Sequence, residues 1–325
     1  MKFPALAGKT GFIRLLGFFL MFFSSFTIFL NAETKANTQL TPSISQPTSN
    51  ETPLPTPSET PTTTPTPEVT PTPKPTPKPK PSPTPTIAQV INNSPPASGF
   101  SRQNVQTDQG TFSVDIISAD LGSTKVVVDT ASESDCSDNC PTMPLTDYVA
   151  RSGAFAGING SYFCPAEYPQ CAGKANSFDM LVMNKNKYYF NSDNNVYSTL
   201  PAAIFGQGFA RFVTQTLQWG RDTGVDAVIA NHPLLILDNQ IMFGGNDDPK
   251  QSGKGSRSFI GATGSTVYIG VVRSATVAQE AQVMKALGIA SALNLDNGGS
   301  VALWFGNYKA GPGRNIPNAV LFVRR

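Results

Sequence analysis

Histidine is almost absent from this chain, since His232 is the only one among 325 residues. Imidazole is the commonest protein metal ligand and the commonest general base near neutral pH. The sequence therefore excludes metal sites built on several histidines, and it allows a Ser-His-Asp triad only through His232. A lone histidine is more often packed or exposed than catalytic. We expect no organic cofactor and no dedicated metal site, and we leave a divalent ion open.

Charge is also sparse, at 14% of the residues, with a formal net charge of +2. Residues 1–86 hold 7 Lys+Arg and 4 Asp+Glu, whereas residues 87–325 hold 17 and 18. The larger part is near neutral and has no cluster of basic residues, so it lacks the electrostatic footprint of a nucleic-acid-binding protein. We expect no nucleic-acid partner.

A long hydrophobic run occurs only at the N-terminus, behind the basic residues Lys2, Lys9 and Arg14. It covers roughly 16 residues, fewer than the ~20 that span a bilayer comfortably. Leu30-Asn31-Ala32 offers a small-residue cleavage site. Residues 1–32 are therefore predicted to be an export signal, with an uncleaved membrane anchor as the alternative. Either reading places the rest of the chain outside the cell or at its surface.

Proline is concentrated in one stretch, because 16 of the 28 prolines lie between Pro42 and Pro85, alternating with Thr, Ser and Lys. Proline has no N–H and cannot sustain a helix or a sheet ladder. Residues 33–98 are predicted to be a disordered, extended linker that gives reach across a cell wall or surface layer. A docking segment for a partner that reads proline-rich sequence is the alternative.

Cysteine is confined to four positions, Cys136, Cys140, Cys164 and Cys171. The spacing also suits a zinc site. An exported chain more commonly uses paired cysteines as disulfides. We therefore expect two disulfides, with the local pairing Cys136–Cys140 and Cys164–Cys171 preferred among the three that are possible.

Residues 99–325 are predicted to form one α+β domain of mixed, largely antiparallel sheets with few helices. Apolar residues at helical spacing predict a helix over Thr276–Leu287, stopped by Gly288, and a short helix over Pro144–Ser152. The predicted strands are Thr111–Ser118, Lys125–Val128, Ala154–Asn159, Met180–Met183, Val225–Ala230, Leu234–Leu237, Phe259–Ala262, Thr266–Val272 and Ala319–Val323. Turn residues predict hairpins at Asp238-Asn239 and at Thr263-Gly264-Ser265.

The stretch Ala290–Trp304 carries the strongest candidate for chemistry. Leu293 and Leu295 alternate with Asn294 and Asp296, as in a short strand. The turn Asn297-Gly298-Gly299-Ser300 follows, and an apolar run leaves it. Asp296 is therefore expected at the mouth of a strand beside a glycine turn. The alternative is a plain β-hairpin in which Asp296 only caps the turn.

Two arginines, Arg257 and Arg314, lie beside apolar strands in segments with few other charges. A guanidinium presents a planar fork of donors that suits phosphate or carboxylate. The alternative for each is a solvated rim position or a structural ion pair. Glu280 lies on the predicted helix opposite much of its apolar face, and we expect it to be solvated.

Three segments in this order resemble the phosphodiester glycosidase domain, the family of N-acetylglucosamine-1-phosphodiester alpha-N-acetylglucosaminidase. They are Gly157-Ile158-Asn159-Gly160-Ser161-Tyr162-Phe163, Ser256-Arg257-Ser258-Phe259-Ile260-Gly261 and Leu293-Asn294-Leu295-Asp296-Asn297-Gly298-Gly299-Ser300. The helix with Glu280 and the ending Arg314–Val323 fit the same pattern. Ser161 and Asn297 stand where the family has glycine, and Ser258 stands where it has threonine. Asn297 is a residue that tolerates the left-handed conformation, so the turn is expected to survive.

The resemblance implies hydrolysis of a glycosyl phosphodiester, a carbohydrate in which the anomeric carbon is bonded to phosphate. Asp296 and Arg257 are the implied catalytic residues, with Asp296 as base, nucleophile or stabiliser of positive charge. The implied substrate-binding residues are Asn159, Gly160, Tyr162, Asn297, Gly298, Gly299, Ser300, Arg314 and Asn318. The N-terminal segment would associate with a cell wall or membrane.

Two other functions remain open from the sequence. The first is a non-catalytic module that grips phosphate-bearing wall polysaccharide, because the same arginines would serve it. The second is a different exported hydrolase with Ser161 or Ser300 as nucleophile, although neither serine stands in a G-x-S-x-G elbow.

Overall fold

The computed structural model describes residues 90–195, 198–222 and 224–325. The predicted export signal and residues 33–89 of the predicted linker lie outside the described residues. Part of the remaining linker is bonded to the domain: Ile91 bridges to Asn104, and the Gln103 amide donates to the carbonyls of Asn92 and Ser94 at 2.8 and 2.9 Å. No helix in the described ranges is long and apolar enough to cross a membrane.

Strands outnumber helices throughout the described ranges. The strands are β1 Gly99–Thr107, β2 Gly110–Asp120, β3 Thr124–Thr130, β4 Ala156–Asn159, β5 Val182–Met183, β6 Tyr189–Phe190, β7 Ala202–Gly206, β8 Phe209–Val213, β9 Ala227–Ala230, β10 Leu234–Leu237, β11 Gln240–Ile241, β12 Gly255–Thr263, β13 Thr266–Ala275, β14 Ser291–Asn294, β15 Leu303–Phe305, β16 Asn307–Ala310 and β17 Asn318–Arg324. The helices are α1 Leu145–Ser152, α2 Ser192–Asn195, α3 Pro249–Ser252 and α4 Val277–Ala286. Single 3₁₀ turns cover Pro169–Cys171, Thr216–Trp219 and Gly298–Ser300.

The strands form three sheets whose neighbours all pair antiparallel. A seven-stranded sheet has the order β1-β2-β13-β12-β14-β10-β11. The C-terminal sheet has the order β16-β15-β4-β17-β3, and the middle sheet has the order β6-β5-β9-β7-β8. The predicted α+β class with few helices and largely antiparallel sheets is confirmed.

The largest apolar cluster lies between the sheets and joins all three of them. Ile117 and Ile260 contribute from the seven-stranded sheet, Phe322 from the C-terminal sheet and Ile229 from the middle sheet. All four are 0% exposed. Alternation along β14 sends Leu293 into this cluster and Ala292 to the opposite face, as the period of a strand requires. The common core holds the ends of the three sheets in fixed positions.

Helix α4 covers the outer face of the seven-stranded sheet. Thr276 and Gln279 form a reciprocal capping box at its start, with bonds of 3.1 and 3.0 Å, and Gly288 adopts φ +70° after its end. The helix predicted over Thr276–Leu287 is confirmed, as are the hairpins β10–β11 and β12–β13.

The alternative interpretation of this stretch, a plain hairpin around Asp296, is wrong. Strand β14 before the turn pairs with β12 and β10 in the seven-stranded sheet, whereas β15 after it pairs with β4 and β16 in the C-terminal sheet. The segment between them is a crossing between two sheets. Residues in it therefore face elements of both sheets, which a hairpin turn would not do.

Candidate active site

The ends of β4, β14 and β17 meet beneath Asp296, next to the middle of β12. Asn159 closes β4 and pairs with Ala319 at the start of β17, while Asn294 closes β14 opposite Phe259 of β12. The Asn159 amide links three chain segments: it donates to the Asp296 carbonyl at 2.7 Å and accepts from the Ser258 hydroxyl at 2.9 Å and the Ala302 N–H at 3.1 Å. Asn159 is fully buried, so all its described contacts are with protein.

Gly160 is held between Asp296 and Asn318. Its carbonyl accepts from the Asp296 N–H at 2.9 Å, and its N–H donates to the Asn318 carbonyl at 3.1 Å. A Cβ on Gly160 would lie 1.8 Å from Asn318 Oδ1, so no larger residue fits without displacing that side chain. Asn318 in turn accepts from the Ser161 N–H at 2.9 Å. These three residues lie under the cavity described below and do not line it; direct substrate contact by Asn159, Gly160 or Asn318 stays a prediction.

Asp296 is 8% exposed, and within the described ranges its carboxyl group forms no ion pair. It accepts hydrogen bonds from the Asn297 N–H at 2.8 Å and from the Ser300 side chain. Burial raises its pKa to about 6, against the opposing influence of these two bonds and of the charges of Arg314 and Lys250. Asp296 caps its turn as the alternative reading expected, and it also lines a cavity. Its carboxyl group is ionised at neutral pH but close to titration.

Asn297 does not adopt the left-handed conformation that the sequence analysis allowed for it. Its φ is −122° and ψ is 177°, which is extended backbone, and the residue with φ +62° is Gly298. The asparagine is therefore unstrained where the family has glycine. Its side chain accepts from the Ser258 N–H at 3.0 Å and donates to Asn294 Oδ1 at 2.9 Å. Asn297 thus joins two of the three motif segments.

Tyr162 belongs to the remaining motif segment, residues 157–163, and bonds it to the same cluster. Its hydroxyl accepts from the Asn294 amide at 2.8 Å and from the Asn297 amide at 3.0 Å, while its N–H donates to Asn231 Oδ1 at 3.0 Å. Burial raises the pKa of this phenol to about 12. Tyr162 is therefore a neutral, fixed side chain at the edge of the cavity.

Arg257 is buried, at 4% exposed, and much of its guanidinium is bound to backbone. Nε donates to the Ala275 carbonyl and Nη1 to the Lys250 carbonyl, each at 2.9 Å, and Nη2 donates to the Gly253 carbonyl. A guanidinium has five N–H donors, so three are occupied and two remain. Arg257 lines the cavity and also fixes the segment that carries α3.

Arg314 is held differently, at the rim. Its guanidinium lies over the Tyr168 ring at 5.0 Å, donates to the Tyr168 hydroxyl at 3.2 Å and faces Glu167 at 3.8 Å. Its side chain is 20% exposed. A Cβ on Gly299 would lie 2.4 Å from Arg314 Nη2, so the second glycine of the turn leaves room for this guanidinium.

These residues surround a cavity of about 390 Å³, which we call the Asp296 cavity. Of the predicted site residues, it is lined by Tyr162, Arg257, Asp296, Asn297, Gly298, Gly299, Ser300 and Arg314. Sequence reasoning missed Tyr168, Gln170, Lys250 and Lys254. The two lysines carried a signal, because Lys250, Lys254 and Arg257 form a short basic series in a chain with few charges. Tyr168 and Gln170 lie inside the loop closed by the disulfide Cys164–Cys171, and nothing in the sequence placed that loop here.

Glu280 is the clearest correction to the sequence analysis. We expected it to be solvated, yet it is 0% exposed, and neither carboxyl oxygen has a hydrogen-bond partner among the described residues. Burial raises its pKa well above the ordinary value, and the charge of Arg257 opposes that rise. The expectation failed because α4 is covered on two sides, by the seven-stranded sheet and by α3.

His232 lies outside the Asp296 cavity. It lines a separate cavity of about 290 Å³, and its ring packs on Tyr162 at 5.0 Å. Burial lowers its pKa. Within the described ranges its imidazole makes no hydrogen bond to Ser161 or Ser300, while Ser161 is 2% exposed and bonded to Asn318. This arrangement does not provide a serine nucleophile with a histidine base.

Both disulfides have the predicted local pairing, Cys136–Cys140 and Cys164–Cys171.

The family model for phosphodiester glycosidases matches residues 152–323, more than half of the chain. The catalytic domain of zebrafish N-acetylglucosamine-1-phosphodiester alpha-N-acetylglucosaminidase, auto-inhibited by its pro-peptide, superposes with a TM-score of 0.56 at 15% identity, over 74% of this chain and 87% of that one. That likeness shows the fold.

A hypothetical protein from Synechocystis matches with a TM-score of 0.46 at 13% identity, over 70% of this chain. The match spans 62% of the Synechocystis protein. No curated protein matches by sequence.

Proposed function

The chain belongs to the phosphodiester glycosidase family, and on that premise we propose that it hydrolyses a glycosyl phosphodiester of an extracellular or cell-surface glycan. The bond that breaks joins the anomeric carbon to a phosphate oxygen. The phosphate monoester leaves with the bonding electron pair, and water supplies the oxygen to the carbon and releases a proton. The proposal rests on the carboxyl group of Asp296, whose pKa is raised to about 6. This group lies in a cavity that is also lined by Arg257, Arg314 and Lys250.

The cationic side chains would bind the phosphate. Arg314 is at the rim with its guanidinium plane set by Tyr168, and Lys250 acts on Asp296 from the same cavity. Arg257 has two N–H donors beyond those used by backbone carbonyls. A phosphate monoester is already a good leaving group, so fixed positive charge around it replaces much of the general-acid help that ordinary glycosidases need.

Asp296 would act on the sugar side of the bond. With a pKa of about 6 it is mostly a carboxylate at pH 7. A carboxylate here can stabilise an oxocarbenium-like carbon, attack it, or take the proton from water. Ser300 and the Asn297 N–H bond to the carboxyl group and fix its orientation.

Asn159 and Asn318 would act from beneath the site. The Asn159 side-chain amide donates to the backbone carbonyl of Asp296. The Asn318 carbonyl accepts from the Gly160 N–H, and the Gly160 carbonyl in turn accepts from the Asp296 N–H. We propose that both position Asp296, so their substitution would lower turnover by moving the carboxyl group.

Export and surface attachment through the N-terminal segment are part of the same proposal. Two disulfides are typical of proteins that fold outside the reducing cytosol. A surface or secreted location would also bring the site to glycans that carry phosphodiesters.

The test is turnover of a panel of sugar-1-phosphodiesters by the full chain prepared under oxidising conditions, beginning with esters of N-acetylglucosamine 1-phosphate. We expect release of free sugar by the wild type, abolished by Asp296→Asn and strongly reduced by Arg257→Ala. Because Arg257 also anchors the α3 segment, Arg257→Lys is the matched variant that keeps a positive charge.

Binding without turnover by the wild type, lost in Arg257→Ala, would replace the hydrolase with the non-catalytic wall-binding module. Full turnover by a folded Asp296→Asn protein would remove Asp296 from the chemistry.

A further inference from the structure

Asn297 stands where the family has glycine, so its side chain is a feature of this chain. Its Oδ1 accepts from the Ser258 N–H at 3.0 Å, and its Nδ2 donates to Asn294 Oδ1 at 2.9 Å and to the Tyr162 hydroxyl at 3.0 Å. A side-chain amide has two N–H donors, and both are occupied by these two bonds. The amide group of Asn297 therefore acts on neighbouring side chains.

The backbone fixes the orientation of the two amides that bond Tyr162. The Ser258 N–H requires Asn297 Oδ1 opposite it, and the His232 carbonyl requires Asn294 Nδ2, which it meets at 2.8 Å. A flipped amide would set two donors against each other at Ser258, or two acceptors at His232. Both amide nitrogens are therefore turned toward the Tyr162 hydroxyl.

The Tyr162 hydroxyl is left with its own proton to donate. Its oxygen already accepts from Asn294 at 2.8 Å and from Asn297 at 3.0 Å, and Asn294 is fully buried. Within the described ranges no residue accepts a hydrogen bond from this O–H. Burial raises the pKa of the phenol to about 12, so the proton is retained at neutral pH. The two amides thus make the hydroxyl a donor of fixed polarity.

The hydroxyl lies on the Asp296 side of Tyr162. Asn297, which bonds it, lines the Asp296 cavity, and the Asn297 backbone N–H donates to Asp296 Oδ1 at 2.8 Å. Asn297 therefore holds the carboxyl group with its backbone and the phenol with its side chain. The two groups are neighbours in the cavity, as the anomeric carbon and the phosphate are neighbours in a glycosyl phosphodiester.

A donor of fixed polarity suits a phosphate oxygen. The oxygens of an ionised phosphodiester only accept hydrogen bonds, whereas a sugar hydroxyl both donates and accepts. Negative charge grows on the phosphate as its bond to the anomeric carbon breaks, so a fixed donor there binds the transition state more tightly than the substrate.

We propose that Asn297 is a positioning residue that, together with Asn294, directs the Tyr162 O–H to a phosphate oxygen of the substrate. This inference rests on the proposed function, because it assigns a donor to the leaving phosphate of that reaction.

The test is a double-mutant cycle on the full oxidised chain, with the ester of the panel that is hydrolysed fastest. We expect Tyr162→Phe to lower kcat about 100-fold with little change in KM, as for the loss of one donor to a developing oxyanion. Asn297→Ala should lower kcat about tenfold, because the hydroxyl can then rotate its proton away from the substrate. In the Tyr162→Phe background the same Asn297 change should alter kcat by less than about twofold.

The cycle separates positioning from a structural role. A structural role would lower kcat by the same factor in both backgrounds, and that result, or an unchanged kcat in Tyr162→Phe, would overturn the proposal. Asn297→Gly, with the residue of the family, is a second variant that should behave like Asn297→Ala. Tyr308→Phe and Asn307→Ala are the matched controls, because both residues lie on β16 and neither lines the Asp296 cavity.

A titration with inorganic phosphate separates failure of this inference from failure of the proposed function. If the wild type hydrolysed no ester of the panel, the proposed function would fail and phosphate binding would decide the inference. A dissociation constant raised about fivefold or more by Tyr162→Phe and by Asn297→Ala, but by neither control, would support the donor. Equal dissociation constants for the wild type and Tyr162→Phe, or no binding of phosphate by the wild type, would overturn it.

Discussion

Asp129 and Asp296 are almost equally buried, at 2% and 8% exposed, yet their pKa values shift in opposite directions. Burial raises the pKa of Asp129, but hydrogen bonds from Arg151, Lys185 and Ser152 outweigh it, and the net shift is downward. Among the described residues, Asp296 receives hydrogen bonds from neutral donors alone, so burial prevails and its pKa rises to about 6. The difference between a structural and a candidate catalytic carboxyl group is therefore the presence of cations in direct contact.

Glu280 is the extreme case of the same effect of burial on the pKa of a carboxyl group. It is more buried than either aspartate and has no hydrogen-bond partner among the described residues. Arg257, the cation that acts on it, is committed to three backbone carbonyls. Asp296 lines the cavity, and Arg257, whose charge acts on Glu280, lines the same cavity. The fold thus pairs the carboxylate on β3 with cations, whereas burial dominates the pKa values of Asp296 and Glu280.

The largest expected effect is that of Asp296→Asn on turnover. Removing the carboxylate should lower kcat by about 10³-fold or more, the range for loss of a group that acts on the reacting centre. The same change should stabilise the fold at pH 7 by up to about 3 kcal/mol, since a rise in pKa from 3.8 to about 6 makes ionisation unfavourable in the folded state.

The two readouts are steady-state kinetics and thermal unfolding at several pH values. The stability gain should vanish below about pH 4, where the carboxyl group is protonated in both states, and should be complete above about pH 6. In the wild type, kcat/KM should fall about tenfold per pH unit below pH 6. A loss of stability in Asp296→Asn at pH 7 would contradict the assignment of burial as the dominant influence.

The opposite result is expected for Asp129→Asn. Loss of the ion pairs with Arg151 and Lys185 should destabilise the fold by about 2–4 kcal/mol at pH 7. Because the folded pKa of Asp129 is lowered, its contribution is present above the ordinary value of 3.8 and is lost as the pH falls through the folded value. Kinetics of the remaining folded protein should match the wild type. Loss of turnover in a fully folded sample would place Asp129 in the site and remove the contrast.

Glu280→Gln tests the effect of burial on the carboxyl group of Glu280 with a side chain of nearly the same shape. Since the folded pKa of Glu280 is raised, the wild type should lose stability relative to the variant by about 1.4 kcal/mol per pH unit, from pH 4.5 up to the folded pKa. Below pH 4.5 the two proteins should be equally stable. Urea unfolding between pH 4 and pH 8 measures this slope, and a flat difference across that range would mean that Glu280 is ionised and paired in the folded state.

The fold and much of the lining of the Asp296 cavity could be predicted because the informative patterns are local. Alternation around Leu293 and Leu295 and the helical spacing of Ala278, Ala281 and Met284 are read from a few neighbouring residues. What failed required distant partners. The apolar runs on either side of Asp296 resemble the two strands of a hairpin in the sequence. In the structure they pair with strands of two different sheets.

The two arginines illustrate the same limit within the site. In the sequence Arg257 and Arg314 both lie beside apolar strands, yet Arg257 donates to the carbonyl groups of residues 250, 253 and 275, whereas Arg314 stacks on Tyr168. The partners of Arg257 lie within 18 residues of it, whereas Tyr168 is 146 residues away from Arg314. The expectation that Glu280 is solvated failed for the same reason. Helical periodicity identifies the face of α4 that packs on the sheet, but it gives no information about a second element, here α3, that covers another face.

The smallest effect is expected for Gly299→Ala. The new Cβ would lie 2.4 Å from Arg314 Nη2, and the end of a flexible side chain can move away, so the fold should keep its melting temperature. Displacement from Tyr168 should weaken the phosphate contact by about 1 kcal/mol and raise KM roughly fivefold, with little change in kcat. Gly244→Ala is the matched control, because a Cβ there meets nothing within 4 Å. If Gly299→Ala left KM unchanged, Arg314 would bind the substrate weakly or not at all, and phosphate recognition would rest on Arg257, Lys250 and Lys254, the other cationic side chains that line the cavity.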